Sequence, residues 1–147
     1  MTSLALDVAF RDEPDLPVGE FVDLLRRAEL SERRPMQDPD RLRRMLAHAD
    51  ILLCARDDEE TLVGIARALT DFAFCCYVAD LAVDRDWQRR GIGRELIRRT
   101  HEAAGFHTHL ILLAAPKAQT YYPHIGMERH DSAWIIRGRT TEAGSDE

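Results

Sequence analysis

The chain has 147 residues, a length that suits one globular domain built around a single hydrophobic core. Hydrophobic residues make up 45% of the sequence and charged residues 31%, a composition that excludes a largely disordered chain. The formal net charge of -6 argues against nucleic acid as a partner, because phosphate contacts need Lys and Arg gathered on one face. Residues 140–147 are small, polar and acidic, so we expect a domain over residues 1–139 followed by a disordered tail.

Cysteine usage and hydropathy indicate the cellular compartment. Two of the three cysteines, Cys75 and Cys76, are adjacent, and Cys54 has no partner at a spacing typical of a redox or zinc site. The N-terminus lacks a basic start, and no stretch holds the roughly 18 uninterrupted apolar residues of a membrane span. We therefore expect a cytoplasmic protein that does not associate with membranes.

One strand and two helices are predicted for the N-terminal part of the chain. Residues 4–10 alternate apolar and polar side chains, which predicts a β-strand. Apolar residues recur at helical spacing after Pro17, a residue that suits the first turn of a helix. A second amphipathic helix is predicted after Asp38, whose carboxylate suits the N-cap position ahead of Pro39.

The remaining elements predict a mixed sheet. Three mainly apolar stretches indicate antiparallel strands: 51–56, 61–70 and 75–83. A helix beginning near Ile92 separates them from residues 109–115, which are expected to form a buried strand parallel to the strand before the helix. A short helix over residues 116–122 and a last strand over residues 132–137 complete the prediction, with Trp134 of that strand in the core.

The most informative motif is Q-R-R-G-I-G at residues 88–93, between a predicted strand and a predicted helix. The backbone N–H groups of a first helical turn have no partners within the helix, so they can bind a phosphate. Glycine at positions 91 and 93 lets the main chain approach an anion closely. No Gly-Lys-Ser/Thr follows and no third glycine is present, which excludes a P-loop and a dinucleotide fingerprint. Two glycines on their own can also serve only to allow a turn of the chain, without binding a ligand.

The wider context resembles a known family. Residues 81–97, L-A-V-D-R-D-W-Q-R-R-G-I-G-R-E-L-I, resemble the acetyl-CoA motif of the GNAT N-acetyltransferase superfamily. Residues 118–127, A-Q-T-Y-Y-P-H-I-G-M, resemble the family's second signature. The resemblance implies an α+β fold, namely the three-layer α/β/α GNAT fold with a mixed, mostly antiparallel sheet that is splayed at the acetyl-CoA site.

The resemblance also implies where the co-substrate acetyl-CoA binds. The pantetheine arm is expected along the strand formed by Leu81, Ala82 and Val83, through main-chain hydrogen bonds. A backbone N–H near Leu81 is expected to face the thioester oxygen. The pyrophosphate is expected at the loop and the helix start, on a set of residues rich in arginine and glycine: Gln88, Arg89, Arg90, Gly91, Ile92, Gly93 and Arg94.

In this family a neutral amine attacks the thioester directly, and no acyl-enzyme forms. The position matching the family's Tyr is Tyr122, which would hydrogen-bond the departing thiolate. The strand Glu that the family often carries is replaced by Ala79, so Asp80 is the nearest candidate base, with Tyr77 or an ordered water as alternatives. Asp80 could equally cap a neighbouring loop. Tyr122 could equally pack in the core or at its rim.

Several alternatives remain open at this point. The fold could serve as a non-catalytic acetyl-CoA sensor or interaction module, or the glycine turn could bind a phosphate ligand unrelated to acyl transfer. The acceptor could be a small-molecule amine or a protein amine, and the family also includes homodimers. The pair His107 and His109 lacks accompanying ligands, so no metal site is expected.

Overall fold

The structure is a computed structural model that describes residues 7–139, which fall into two compact units divided between Leu113 and Ala114. The first unit contains five strands and three α-helices: β1 (Ala9–Asp12), α1 (Val18–Arg27), α2 (Pro39–Ala47), β2 (Ile51–Arg56), β3 (Leu62–Thr70), β4 (Cys75–Val83), α3 (Ile92–Ala104) and β5 (His109–Leu112). Within residues 114–139, the described part of the second unit, there is one short α-helix, α4 (Tyr121–His124).

The five strands form one sheet whose spatial order follows the chain order. The pairings of β1 with β2, β2 with β3 and β3 with β4 are antiparallel, whereas β4 and β5 run parallel. Helix α3 makes the crossover between the two parallel strands, as the sequence of strand, helix and strand predicted. The prediction of a mixed, mostly antiparallel sheet is confirmed.

Helices cover both faces of this sheet, which gives three layers. Ile92 and Leu96 of α3 pack on one face, in a cluster with Val63 and Ala66 of β3. On the other face α1 and α2 pack on strand residues that include Ile65. Three side chains of α1 are fully buried on that side: Phe21, Leu24 and Leu25. The apolar helical spacing in the sequence accounts for both layers.

Most predicted boundaries in the first unit agree with the structure. The Asp38 carboxylate accepts a hydrogen bond from the N–H of Arg41 at 3.0 Å, so it caps α2 as expected. The strand predicted over residues 4–10 lies at Ala9–Asp12 among the described residues, and its first three positions lie outside them. The strand predicted over residues 109–115 already ends at Leu112.

The sequence prediction was wrong for much of the second unit. The single helix expected over residues 116–122 is instead a 3₁₀ turn, Pro116–Ala118, followed by α4. None of the five strands found within residues 7–139 includes residues 132–137, and Trp134, expected in the core, is 93% exposed. Apolar alternation produces a strand only where a neighbouring strand supplies ladder hydrogen bonds, and that segment has no such partner in the described sheet.

The three thiols differ in burial and should differ in reactivity. Burial raises the pKa of Cys54 to about 12 and also raises the pKa of Cys76, whereas Cys75 is exposed. Because the thiolate is the reactive form, we expect one thiol of the native protein, Cys75, to react rapidly with a disulfide reagent at pH 8. All three should react in denaturant. Rapid labelling of more than one thiol in the native protein, located by peptide mass, would contradict this burial pattern.

Candidate active site

Strand β4 contains a β-bulge at its centre. Arg67 of β3 pairs with Asp80 and the next residue, Ala68, pairs with Val78, so that Ala79 has no partner on β3. An extra residue of this kind reverses the side-chain alternation beyond it. The alternation of side chains between the two faces of the sheet is therefore reversed between the first and second halves of β4.

The reversal decides which β4 side chains face each helix layer. Before the bulge, Cys76 and Val78 belong to the cluster beneath α3. After the bulge, Leu81 packs against that cluster and Ala82 joins the cluster beneath α1 and α2. Asp80 consequently points away from Leu81, to the side of α1 and α2, where arginine partners surround it.

The second half of β4 has an open edge. Strand β5 pairs with β4 only between Cys75 and Val78, so the described part of the chain provides no strand beside residues 79–83 on that edge. The N–H of Asp84 donates to the carbonyl of Val63 on β3 at 2.8 Å. Because backbone groups alternate between the two edges of a strand, those of Leu81 and Val83 face the open edge.

A side chain already binds one of these edge groups. The Nε2 of Gln88 donates to the carbonyl oxygen of Val83 at 3.0 Å. This hydrogen bond folds the start of the Q-R-R-G-I-G motif back onto the end of β4. On the open edge, the N–H and carbonyl of Leu81 therefore lie farther from the loop than those of Val83.

The loop from Asp84 to Gly91 is held by its first residue. The Asp84 carboxylate accepts the N–H of Asp86 at 2.8 Å, and the Asp84 carbonyl accepts the N–H of Trp87 at 2.8 Å. The guanidinium of Arg90 lies over the Trp87 ring, 4.5 Å from its centroid. These contacts give the loop a defined shape.

The loop ends at an uncapped helix start. Gly91 is the N-cap of α3 with φ of 89° and ψ of 5°, a left-handed conformation that a glycine adopts without steric cost. No side chain caps α3, so the N–H groups of its first turn are open to an anion. Gln88, Arg89 and Arg94 are exposed around them. A negatively charged group placed here would face main-chain N–H groups and arginine side chains together.

Asp80, the candidate base, is only 1% exposed and is paired with two arginines. One carboxylate oxygen contacts Arg34 and the other contacts Nε of Arg67. Protonation of this carboxylate would leave two guanidinium groups facing a neutral acid. The geometry does not favour the base role for Asp80, which stays a prediction. Tyr77, its alternative, is half-buried on β4.

The second unit, taken by itself, contains Tyr122. This residue lies in α4, where its ring meets the Tyr121 ring edge-on at a centroid distance of 5.2 Å. The carbonyl of Tyr122 accepts the N–H of Met127 at 3.0 Å, across a turn in which Gly126 has a φ of 93°. The turn therefore favours glycine, in agreement with the glycine of the second signature.

Sequence reasoning missed the charged residues that surround β4. Arg27, Arg34 and Arg67 bind Asp84 and Asp80, although up to 57 residues of chain separate the partners. Such pairs have no local spacing pattern, so a single sequence carries no signal for them. Only the antiparallel register of β3 and β4, once known, places Arg67 opposite Asp80.

Other candidate sites receive no support from the described residues. Within residues 7–139 no group of three or more His, Cys, Asp and Glu side chains is placed to hold a metal ion. His107 instead bonds the carbonyl of Phe72 at 3.1 Å, and the His109 ring lies 5.1 Å from that of Phe74. None of the helices in this part of the chain is long and apolar enough to cross a membrane.

Solved structures share this fold. A protein from Deinococcus radiodurans matches with a TM-score of 0.71 and 22% identity over 89% of each chain. An aminoglycoside acetyltransferase from an uncultured soil metagenomic sample, in complex with sisomicin, matches with a TM-score of 0.68 and 19% identity over 92% of this chain and 97% of that one. A GNAT family N-acetyltransferase from Escherichia coli, in complex with CoA, has a TM-score of 0.64 and 25% identity over 84% and 70%.

The sequence gives a family assignment as well. No curated protein matches the chain significantly. The model of the acetyltransferase (GNAT) domain matches residues 25–138, which include α2, the bulged strand, the glycine turn and α4. The match therefore covers most of the chain and both of the motifs that carry the resemblance. The chain belongs to the GNAT acetyltransferase family.

Proposed function

We propose that this protein transfers an acetyl group from acetyl-CoA to a primary amine. One observation carries the proposal: the open edge of β4 leads directly, through a well-defined loop, to the uncapped first turn of α3. An extended amide-bearing arm suits the edge, and a diphosphate suits the helix start. Coenzyme A contains both groups in that order.

The diphosphate subsite is the start of α3. The main-chain N–H groups of residues 89–94 would bind the pyrophosphate oxygens, because α3 has no side-chain cap to compete for them. Exposed arginines add positive charge around the same turn: Arg89, Arg90 and Arg94. The partial positive charge of the helix terminus adds to this attraction.

The pantetheine subsite is the second half of β4. Leu81 and Val83 would form main-chain hydrogen bonds with the amides of the arm, with Ala82 between them facing the α1 and α2 layer. The Val83 carbonyl must then release Gln88 or accept a second donor. The N–H of Leu81, at the far end of the open edge, would donate to the thioester oxygen and stabilise the charge that develops on it.

The reaction is direct transfer. The amine nitrogen bonds to the acetyl carbon, the bond from that carbon to sulfur breaks, and the nitrogen loses a proton. An amine resembling lysine has a pKa of about 10.4 and is mostly protonated at neutral pH, so a proton acceptor is needed. Since two arginines bind Asp80, we favour an ordered water or Tyr77 as the route for this proton.

The acceptor belongs to the amines, either of small molecules or of proteins. The structural relative solved with sisomicin is an aminoglycoside acetyltransferase, which supports including aminoglycosides among the first acceptors tested. The segment between α1 and α2 and the tip of the hairpin between β3 and β4 are the parts of the first unit that would contact the acceptor.

An assay with acetyl-CoA and a panel of amines tests the proposal. The panel contains aminoglycosides, polyamines, amino acids and peptides, and the readouts are free CoA thiol and the mass of the acetylated product. We expect both to appear with at least one amine. Thermal stabilisation by acetyl-CoA without any product would identify a sensor instead. Stabilisation by nucleotides and none by acetyl-CoA would contradict the proposal.

The role of Tyr122 can be tested separately. We expect Tyr122→Phe to lower kcat by about tenfold and to change the Kd for acetyl-CoA little, because the proposed role of the hydroxyl is at the departing thiolate, which forms after acetyl-CoA has bound. The neighbouring Tyr121→Phe is the matched control, since the two rings pack together. Equal kcat values for Tyr122→Phe and the unaltered protein would limit this tyrosine to packing.

A further inference from the structure

Three ion pairs join the end of α1 and the segment after it to the second half of β4 and its loop. Arg27 binds Asp84, and Arg34 binds Asp80. A third ion pair, which is exposed, joins Glu29 to Arg85 at 3.3 Å. The contacts run alongside the part of β4 that has the open edge, but on the α1 face of the sheet.

Arg27 holds the loop end of the open edge. Its Nη1 binds the Asp84 carboxylate, and its Nη2 donates to the carbonyl of Leu62 at 2.9 Å. Asp84 is 8% exposed, and its other carboxylate oxygen accepts the N–H of Asp86. The Arg27 guanidinium therefore holds Asp84 in place, and Asp84 is the residue at which the loop leading to Gly91 begins.

Arg34 holds the bulge end of the same edge. Its Nε and Nη2 contact the buried Asp80 carboxylate, and its Nη2 also donates to the carbonyl of Ala79 at 3.2 Å. Ala79 is the residue without a partner on β3, so this bond gives the bulge a partner. Asp80 and Ala79 immediately precede Leu81, whose backbone direction depends on them.

We propose that Arg27 and Arg34 are positioning residues for acetyl transfer. They hold the two ends of the open edge of β4, where acetyl-CoA is proposed to bind, from the face of the sheet that α1 covers. The inference rests on the proposed function, because it assigns the edge to acetyl-CoA. Neither residue touches the reacting atoms. Arg27 sets the direction of the phosphate-binding loop, and Arg34 sets the direction of the Leu81 N–H.

The two roles predict different kinetic consequences. Loss of Arg27 frees Asp84 and loosens the loop before Gly91, which should weaken acetyl-CoA binding. Loss of Arg34 frees the bulge and lets the Leu81 N–H turn away from the thioester, which should slow the acetyl transfer of bound substrate. Misplacement of a reacting group by about 1 Å can cost roughly 100-fold in rate. Loss of Arg27 should therefore change mainly the Kd for acetyl-CoA, and loss of Arg34 should change mainly kcat.

The test uses single Met variants in the full chain, with the amine that gives the highest rate in the panel. For Arg27→Met we expect a Kd for acetyl-CoA at least about fivefold higher and a kcat within about twofold. For Arg34→Met we expect a kcat at least about tenfold lower and a Kd within about twofold. Arg26→Met and Arg41→Met, at exposed positions of α1 and α2, are matched controls that should change neither constant.

A second variant and a second measurement guard against misfolding. Arg34→Lys keeps the positive charge beside Asp80, so it should fold and should recover part of the lost kcat. Amide hydrogen exchange, read by mass spectrometry, reports on the contacts directly. Exchange should rise over residues 84–88 in Arg27→Met and over residues 78–82 in Arg34→Met, with or without CoA present.

The outcomes separate this inference from the proposed function. If the unaltered protein neither binds acetyl-CoA nor acetylates an amine, the proposed function fails and the exchange experiment still tests the two contacts. Unchanged exchange in both variants would overturn the inference. If the protein is active but both arginine variants lower the same constant, or behave like the controls, the proposed function stands and the inference fails.

Discussion

Acetyl-CoA should bind at least about 100-fold more weakly to Gly91→Asp, a loss of about 2.7 kcal/mol of binding free energy. Gly91 is the N-cap of α3 and has a left-handed conformation, so a side chain here adds both bulk and charge at the proposed diphosphate subsite. Its carboxylate would repel the diphosphate and would also compete for the free N–H groups of the first turn. Titration of the variant with acetyl-CoA, by calorimetry, measures the effect.

Two control variants separate charge from conformation. Gly91→Asn has nearly the same shape as the Asp variant and tolerates a left-handed conformation, but it carries no charge. We expect its binding loss to be clearly smaller. Gly19→Asp makes the same chemical change near the start of α1, where a new Cβ would meet no atom within 4 Å. Equal affinities for Gly91→Asp and the unaltered protein would remove the diphosphate from this turn.

Asp80→Ala should lower the free energy of unfolding by about 3–5 kcal/mol, because it leaves two buried or half-buried arginines without their shared carboxylate. Arg67 is only 8% exposed and cannot recover full hydration in place. Its Nε and the guanidinium of Arg34 both contact this side chain. Urea denaturation followed by circular dichroism gives the value directly.

An exposed ion pair supplies the comparison. Asp40 lies 2.8 Å from Arg43 on α2 and its side chain is 90% exposed, so Asp40→Ala should change stability little. Asp80→Asn keeps the shape of the side chain and separates the two roles considered for Asp80. A variant with ordinary stability and a loss of kcat much larger than that of Arg34→Met would identify Asp80 as the base and contradict the structural role argued above.

The first unit was largely predictable because its elements have local signals. Alternation and turn residues gave the bounds of β2 and β4, and an N-cap carboxylate followed by proline gave the start of α2. The glycine turn was equally predictable, because the positive φ at Gly91 favours glycine for a steric reason. These signals depend only on residues close together in the chain.

Long-range features were not predictable from the sequence. The bulge at Ala79 depends on the register between two strands, and nothing in the residues of β4 marks where the extra residue falls. The partners of Asp80 depend on the same register and on the path of the chain after α1. Residues 132–137 show the converse, since they have strand periodicity but no strand partner in the described sheet.

The bulge gives β4 one residue more than its register with β3 needs. If Ala79 were instead paired as an ordinary strand residue, the Asp80 carboxylate would enter the apolar layer under α3 and Leu81 would meet the arginines. Deleting Ala79 would leave Asp80 opposite Arg67 and Val78 opposite Ala68, and would remove the carbonyl that Arg34 binds. The strand therefore tolerates a change of length at this one position, and what the extra residue adds is a carbonyl for Arg34.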